Sequence, residues 1–276
     1  MLTRRMTHLW ASVLTVVGFL PAFSASAAPA PHDEAAKIVQ QIQRADYEDD
    51  RAALQLLYKE LAPFAADKQF ASRIQYWRGF ALWRRAVNGF NDNADPKELE
   101  QDLTQAAADF KESLAADPSF LDSKIGEVSS LSNLIYLNRG YTDRMNDLLA
   151  QSRALVKEAH AVDPQHPRLL WVMGPIYWNT PVERGGGQEK ALAAYQAGLE
   201  QIRKRNVAAR VDPLDPIWGE PELLMSLAWS NLNREKPDLE AAEQQAQAAL
   251  KIVPYWHYVR DILLPQIRKA RSAPKA

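Results

Sequence analysis

One spacing recurs along this chain: a small residue, an apolar or small residue four positions on, a small residue three further, and then proline. Ala106, Phe110, Ser113 and Pro118 carry it first, Ser152, Val156, Ala159 and Pro164 next, and Ala242, Ala246, Ala249 and Pro254 last. Ala191, Tyr195 and Gly198 repeat it without the proline. Small residues at this interval let a second helix approach closely, and proline ends the helix just after its last turn. A unit that recurs in this way cannot bury its apolar face alone; it stacks on its neighbours.

Helical periodicity is nearly continuous elsewhere, and no stretch alternates with the period of a strand. Glu34–Arg44 places Ile38 and Ile42 one turn apart, and Leu54, Leu57, Leu61 and Phe64 form a stripe that Pro63 helps to end. Phe70–Asn88 carries Tyr76, Trp77, Phe80 and Trp83 on more than one face, the pattern of a helix buried between others. Asp95 caps a helix with Pro96 at its first position, running to Ala116. Helices over Phe120–Leu137, Asp143–Val162, His166–Trp178, Gln188–Arg205, Glu220–Leu232 and Asp238–Val253 follow, and Tyr255–Arg271 reads as a polar cap. The expectation is an all-α solenoid of stacked hairpins, about eleven helices with a C-terminal capping helix.

Leu170-x2-Met173-Gly174-x2-Tyr177 resembles the W-x2-L-G-x2-Y block of the tetratricopeptide repeat (TPR), and Ala106-x3-Phe110 and Ala191-x3-Tyr195 resemble its A-x3-F block. The likeness spans most of residues 70–254, with hairpins lengthened at Asn88–Pro96 and Gly185–Gly187. It implies a stacked-hairpin fold that holds a partner. A second similarity, carried by Gly174, Tyr177, Pro181, Gly186, Gly187, Lys190 and Ala191, is to the T component of TRAP transporters. That one implies ligand handling beside a solute-binding protein, although the lipid-anchoring cysteine common there is missing.

The N-terminus reads as an export signal. Arg4 and Arg5 precede an apolar run from Leu9 to Leu20, and Ala25-Ser26-Ala27 offers a small-x-small cleavage site, with the cut placed after Ala27. The run is shorter than the roughly 20 residues a spanning helix needs, so no membrane span is expected after cleavage. Residues 1–27 are thus read as signal peptide, 28–33 as linker, 34–271 as the helical domain and 272–276 as a tail. A periplasmic or secreted location follows. The chain has no cysteine, so its stability rests on packing, and thiolate catalysis and sulfur-ligated metals are excluded. Its net charge of −1, which becomes more acidic once Arg4 and Arg5 leave, gives no reason to expect nucleic acid as a partner.

Catalytic signatures are missing. The serines at 129, 130 and 132 lie mid-helix with no G-x-S-x-G turn, and no His-Glu-x-x-His run or metal-spaced cluster occurs. Gly185-Gly186-Gly187 lacks the Lys-Ser or Lys-Thr of a nucleotide loop and reads first as a tight turn, second as an anion cradle beside Arg184. The expectation is a noncatalytic module without cofactor or metal. It would capture a protein or peptide segment on a concave face that includes Tyr76, Arg78, Arg84, Arg85, Trp178 and Arg184. The alternative is a small apolar ligand, or an accessory role in transport. A pocket lined by Trp and Tyr favours the ligand; an open groove favours the peptide.

Overall fold

A computed structural model of the chain describes residues 30–206 and 212–273. Among these the secondary structure is helical throughout. Five antiparallel hairpins follow one another: α1 (Pro31–Glu48) with α2 (Arg51–Glu60), α3 (Ala71–Asn91) with α4 (Pro96–Ala116), α5 (Leu121–Leu137) with α6 (Thr142–Val162), α7 (Pro167–Asn179) with α8 (Gln188–Asn206), and α9 (Glu220–Asn233) with α10 (Leu239–Ile252). A π-helical turn over Tyr258–Leu263 leads into α11 (Leu264–Ser272), the C-terminal cap. The expected TPR-like solenoid is what the chain forms. The stretch read as a signal peptide, with its expected cleavage site, lies outside the described residues, and α1 starts at Pro31, within the stretch read as linker.

Local chemistry sets the ends. The Asp95 side chain accepts from Lys97 N at 3.0 Å ahead of Pro96, and Asp50 and Asp238 cap α2 and α10 in the same manner. Asp49, which ends α1, takes up a left-handed conformation at φ 63°. The glycines at 185 to 187 form a turn. Their three backbone N–H groups donate to the carbonyls of Val182, Pro181 and Tyr177, with Gly185 and Gly187 at positive φ. No amide is left there to cradle an anion.

The recurrent spacing packs as expected in α4. Ala106, Phe110 and Ser113 are all completely buried. Phe110 lies between Gly79 of α3 and Gly126 of α5, and a Cβ on Gly126 would overlap its ring. Below it, the hydroxyls of Ser72, Ser113 and Ser123 form a chain across three helices. In α8, Tyr195 sits against Gly174 of α7 in the same way.

Two long-range features bend the stack. The connection Asp212–Gly219 returns to α3, burying Leu214 and Trp218. Trp77 Nε1 donates to the Leu214 carbonyl at 2.7 Å, and Trp218 Nε1 donates to the Tyr76 hydroxyl at 2.7 Å. The first hairpin also reaches the last. The Tyr47 ring meets Trp256 edge-on at 5.0 Å, and its hydroxyl donates to Glu222 at 2.6 Å. The solenoid therefore curves until its two ends touch, and its concave side becomes a walled cavity.

Candidate functional site

That cavity has a volume of about 1190 Å³. Its floor is α3 and α5, through Trp83, Val87, Ser129 and Ser132; its sides are α6 and α7, through Val156, Lys157, Trp171 and Ile176; Trp256 and Tyr258 close the C-terminal end. Cavities for small ligands are typically ~300–1,000 Å³ with apolar, aromatic walls, so this one admits a large ligand.

The cavity exists because α6 stands apart. Every other hairpin helix from α3 to α10 packs on two or more helices, whereas α6 has α5 as its one extensive neighbour. Its only buried residues are Ser152 and Ala159. Ala159 joins Ile125, Val128, Leu169 and Val172 near the turn to α7; beyond that cluster the two helices diverge. On the facing wall, α7 contains Pro175. A proline there cannot donate to the Trp171 carbonyl and disturbs the helix one turn earlier.

The floor is built from aromatic packing. Trp83, Trp171 and Trp218 meet at centroid distances of 5.5–6.0 Å, in the tilted and edge-on arrangements that aromatic quadrupoles favour. Trp171 Nε1 donates to Ser226 at 2.9 Å. Trp83 is 2% exposed, and its Nε1 has no acceptor. In α5 the side chains of Ser129, Ser132 and Asn133 bond back to carbonyls one turn earlier, a habit that spares them unpaired donors and bends helices slightly.

Arg84 lies where floor meets core. It is 6% exposed, and its Nε donates to Asp46 at 2.7 Å. Burial pushes the Asp46 and Glu222 carboxyls above the usual range, while Arg84 draws both down. Glu222 accepts from Tyr47 and from the Gly219 N–H at 2.7 Å. Neither carboxylate lines the cavity, so this network ties the first hairpin to the last and offers no acid or base to a ligand.

The six expected contact residues are not brought together. Arg84 and Arg184 line the cavity. Tyr76 is 1% exposed, within the core. Arg78 stacks over Tyr58 at 4.1 Å and donates to its carbonyl, and Arg85 pairs with Glu98 and Asp102 on the opposite side of α3. Trp178 packs on Trp229 at 5.1 Å, and Trp229 is 36% exposed. Residues that sequence reasoning missed are on α6, where Arg153, Lys157 and His160 line the cavity beside Ser152 and Val156. Among the described residues no group of three or more His, Cys, Asp or Glu is set to hold a metal, and no helix is long and apolar enough to cross a membrane.

In class, then, this is an all-helical, TPR-like stack with a cavity on its concave side. Two solved structures share the fold. The HusA haemophore from Porphyromonas gingivalis superposes with a TM-score of 0.58 at 16% identity, covering 76% of this chain and 98% of that one. A thermophilic TPR protein of Thermus thermophilus gives a TM-score of 0.51 at 19% identity, covering 87% and 97%. No protein-family model matches the chain, and no curated protein matches it significantly.

Proposed function

We propose that this protein is an exported, noncatalytic binding module that holds a ligand inside the cavity between α3, α5, α6 and α7. The observation that carries the reading is the cavity itself, walled by four helices and lined by Trp83, Trp171 and Trp256. A space of this size does not arise from loose packing, because helices pack at the density of organic crystals. It is held open by a helix with one neighbour. Similarity of fold to a haemophore makes haem a rational first probe, although fold alone does not assign a ligand.

Val156→Phe tests the reading. The ring would occupy the cavity from α6, as Phe110 occupies its seam on α4. Haemin, titrated by quenching of tryptophan fluorescence, is expected to bind the natural chain and to lose about tenfold or more in affinity to the variant, with no loss of thermal stability. Equal affinity for both chains would remove the cavity from the account.

A protein or peptide segment is the second reading, favoured by the cavity's wide mouth, where Tyr136 is 56% exposed. In that case Arg84 and Arg184 keep their expected role. Crosslinking in periplasmic extract separates the two: a segment leaves a protein adduct, whereas a small ligand leaves with organic solvent.

A further inference from the structure

Charge around the cavity is segregated. Arg84, Arg153, Lys157, His160 and Arg184 line it, and no Asp or Glu does, although acids outnumber lysines and arginines, 34 to 33, in the whole chain. Composition therefore does not explain the bias.

Pairing sharpens it. Several cations nearby have partners: Arg144 pairs with Glu100, Lys124 with Glu158 at 2.7 Å, Arg205 with Asp163 at 2.8 Å and Arg203 with Glu220 at 2.7 Å. Arg84 is engaged by Asp46. Arg153, Lys157 and Arg184 form no ion pair among the described residues, and residues 1–29, 207–211 and 274–276 carry no acidic side chain. The spacing of Ser152, Arg153, Val156 and Lys157 puts Arg153 and Lys157 on the helical face of α6 that carries the apolar wall.

The wall thus offers unpaired charged donors set around an aromatic floor. Its complement is an apolar body with acidic, acceptor-bearing groups.

We propose that the ligand is an amphipathic anion, an apolar ring system or chain bearing a carboxylate or similar acid, with its body against Trp83, Trp171 and Val172 and its acid against Arg153, Lys157 and Arg184. This rests on the cavity reading above and adds the ligand's charge. In a mouth lined by protein on several sides, the attraction is screened less than at an open surface.

Two fluorophores with one aromatic body test it: anilinonaphthalene sulfonate, an anion, and N-phenylnaphthylamine, which is neutral. In the charge-reversed pair R153E/K157E, both exposed positions, the anion is expected to lose about tenfold or more in affinity while the neutral probe changes less than about twofold. The anion's binding to the natural chain should also weaken as salt rises. If the reversal changes both probes alike or neither, the proposal fails, while V156F still expelling the neutral probe would keep the cavity reading. If V156F releases neither probe, the cavity reading fails and takes this proposal with it.

Discussion

Helices α4 and α6 carry the same spaced residues and end at the same distance from a proline, yet one seals a seam and the other opens a cavity. In α4 the middle position is Phe110, fully buried between Gly79 and Gly126. In α6 it is Val156, half-buried on the cavity wall. Around it, α4 has Ala107 and Leu114 where α6 has Arg153 and His160. The recurrent small residues thus specify which face of a helix meets its own hairpin partner. Whether the next hairpin closes over that helix depends on the bulk and charge of the residues between them.

The largest expected effect is at the closed seam. Phe110→Ala would leave a void facing two glycines that have no side chain with which to fill it. The expected loss is ~3–5 kcal/mol by urea denaturation, against under about 1 kcal/mol for Val156→Ala, whose methyl groups already face open space. Equal losses at the two sites would break the comparison.

Gly126→Ala should act in the opposite sense on the same seam, by overpacking. A methyl group there overlaps the Phe110 ring, at an expected cost of ~1–3 kcal/mol. Shrinking the ring relieves the clash, so F110L/G126A should be less destabilised than the sum of its single changes, since residues in contact are not additive. Strict additivity in a double-mutant cycle would mean that glycine and ring do not define the seam.

Much of this architecture is legible in sequence because its signals are local. Asp95-Pro96 starts α4, Pro118 and Pro164 stop α4 and α6, and the apolar period runs true between them. Contacts between residues distant in the chain left no such mark. The Tyr47–Glu222 bond spans 175 residues, and nothing local announces that Leu214 and Trp218 turn back onto α3. The site suffered from this directly. Arginine and aromatic residues alternate on α3, which suggests one face, yet Arg84 points to Asp46 and Arg85 to Glu98 and Asp102. The informative signal lay on α6, in Arg153 and His160 standing where α4 has Ala107 and Leu114, and it emerges only when the two helices are aligned on their shared spacing.

The smallest expected effect concerns a cost that the closed helix bears and the open one avoids. Asp109, beside Phe110 on α4, is 1% exposed, whereas Asp143, Asp147 and Glu158 on α6 are all exposed. Burial pushes the Asp109 carboxyl up to about 6; Gln105, which donates to one oxygen, and the nearby Arg78 offset this only in part, and the other oxygen has no partner. The folded chain then keeps this proton up to about pH 6, while the unfolded chain releases it near the ordinary carboxylate value of 3.8. Below that value the group is neutral in both states and contributes nothing. As pH rises through the interval, the unfolded state alone ionises, stability falls, and above about pH 6 the penalty is complete. Asp109→Asn keeps the shape and removes the charge. It should match the natural chain near pH 4 and exceed it at pH 7, read from urea midpoints across that range. A variant whose advantage is the same at both ends of the range would show that Asp109 stays ionised within the seam, and that α4 seals around a charge instead of excluding it.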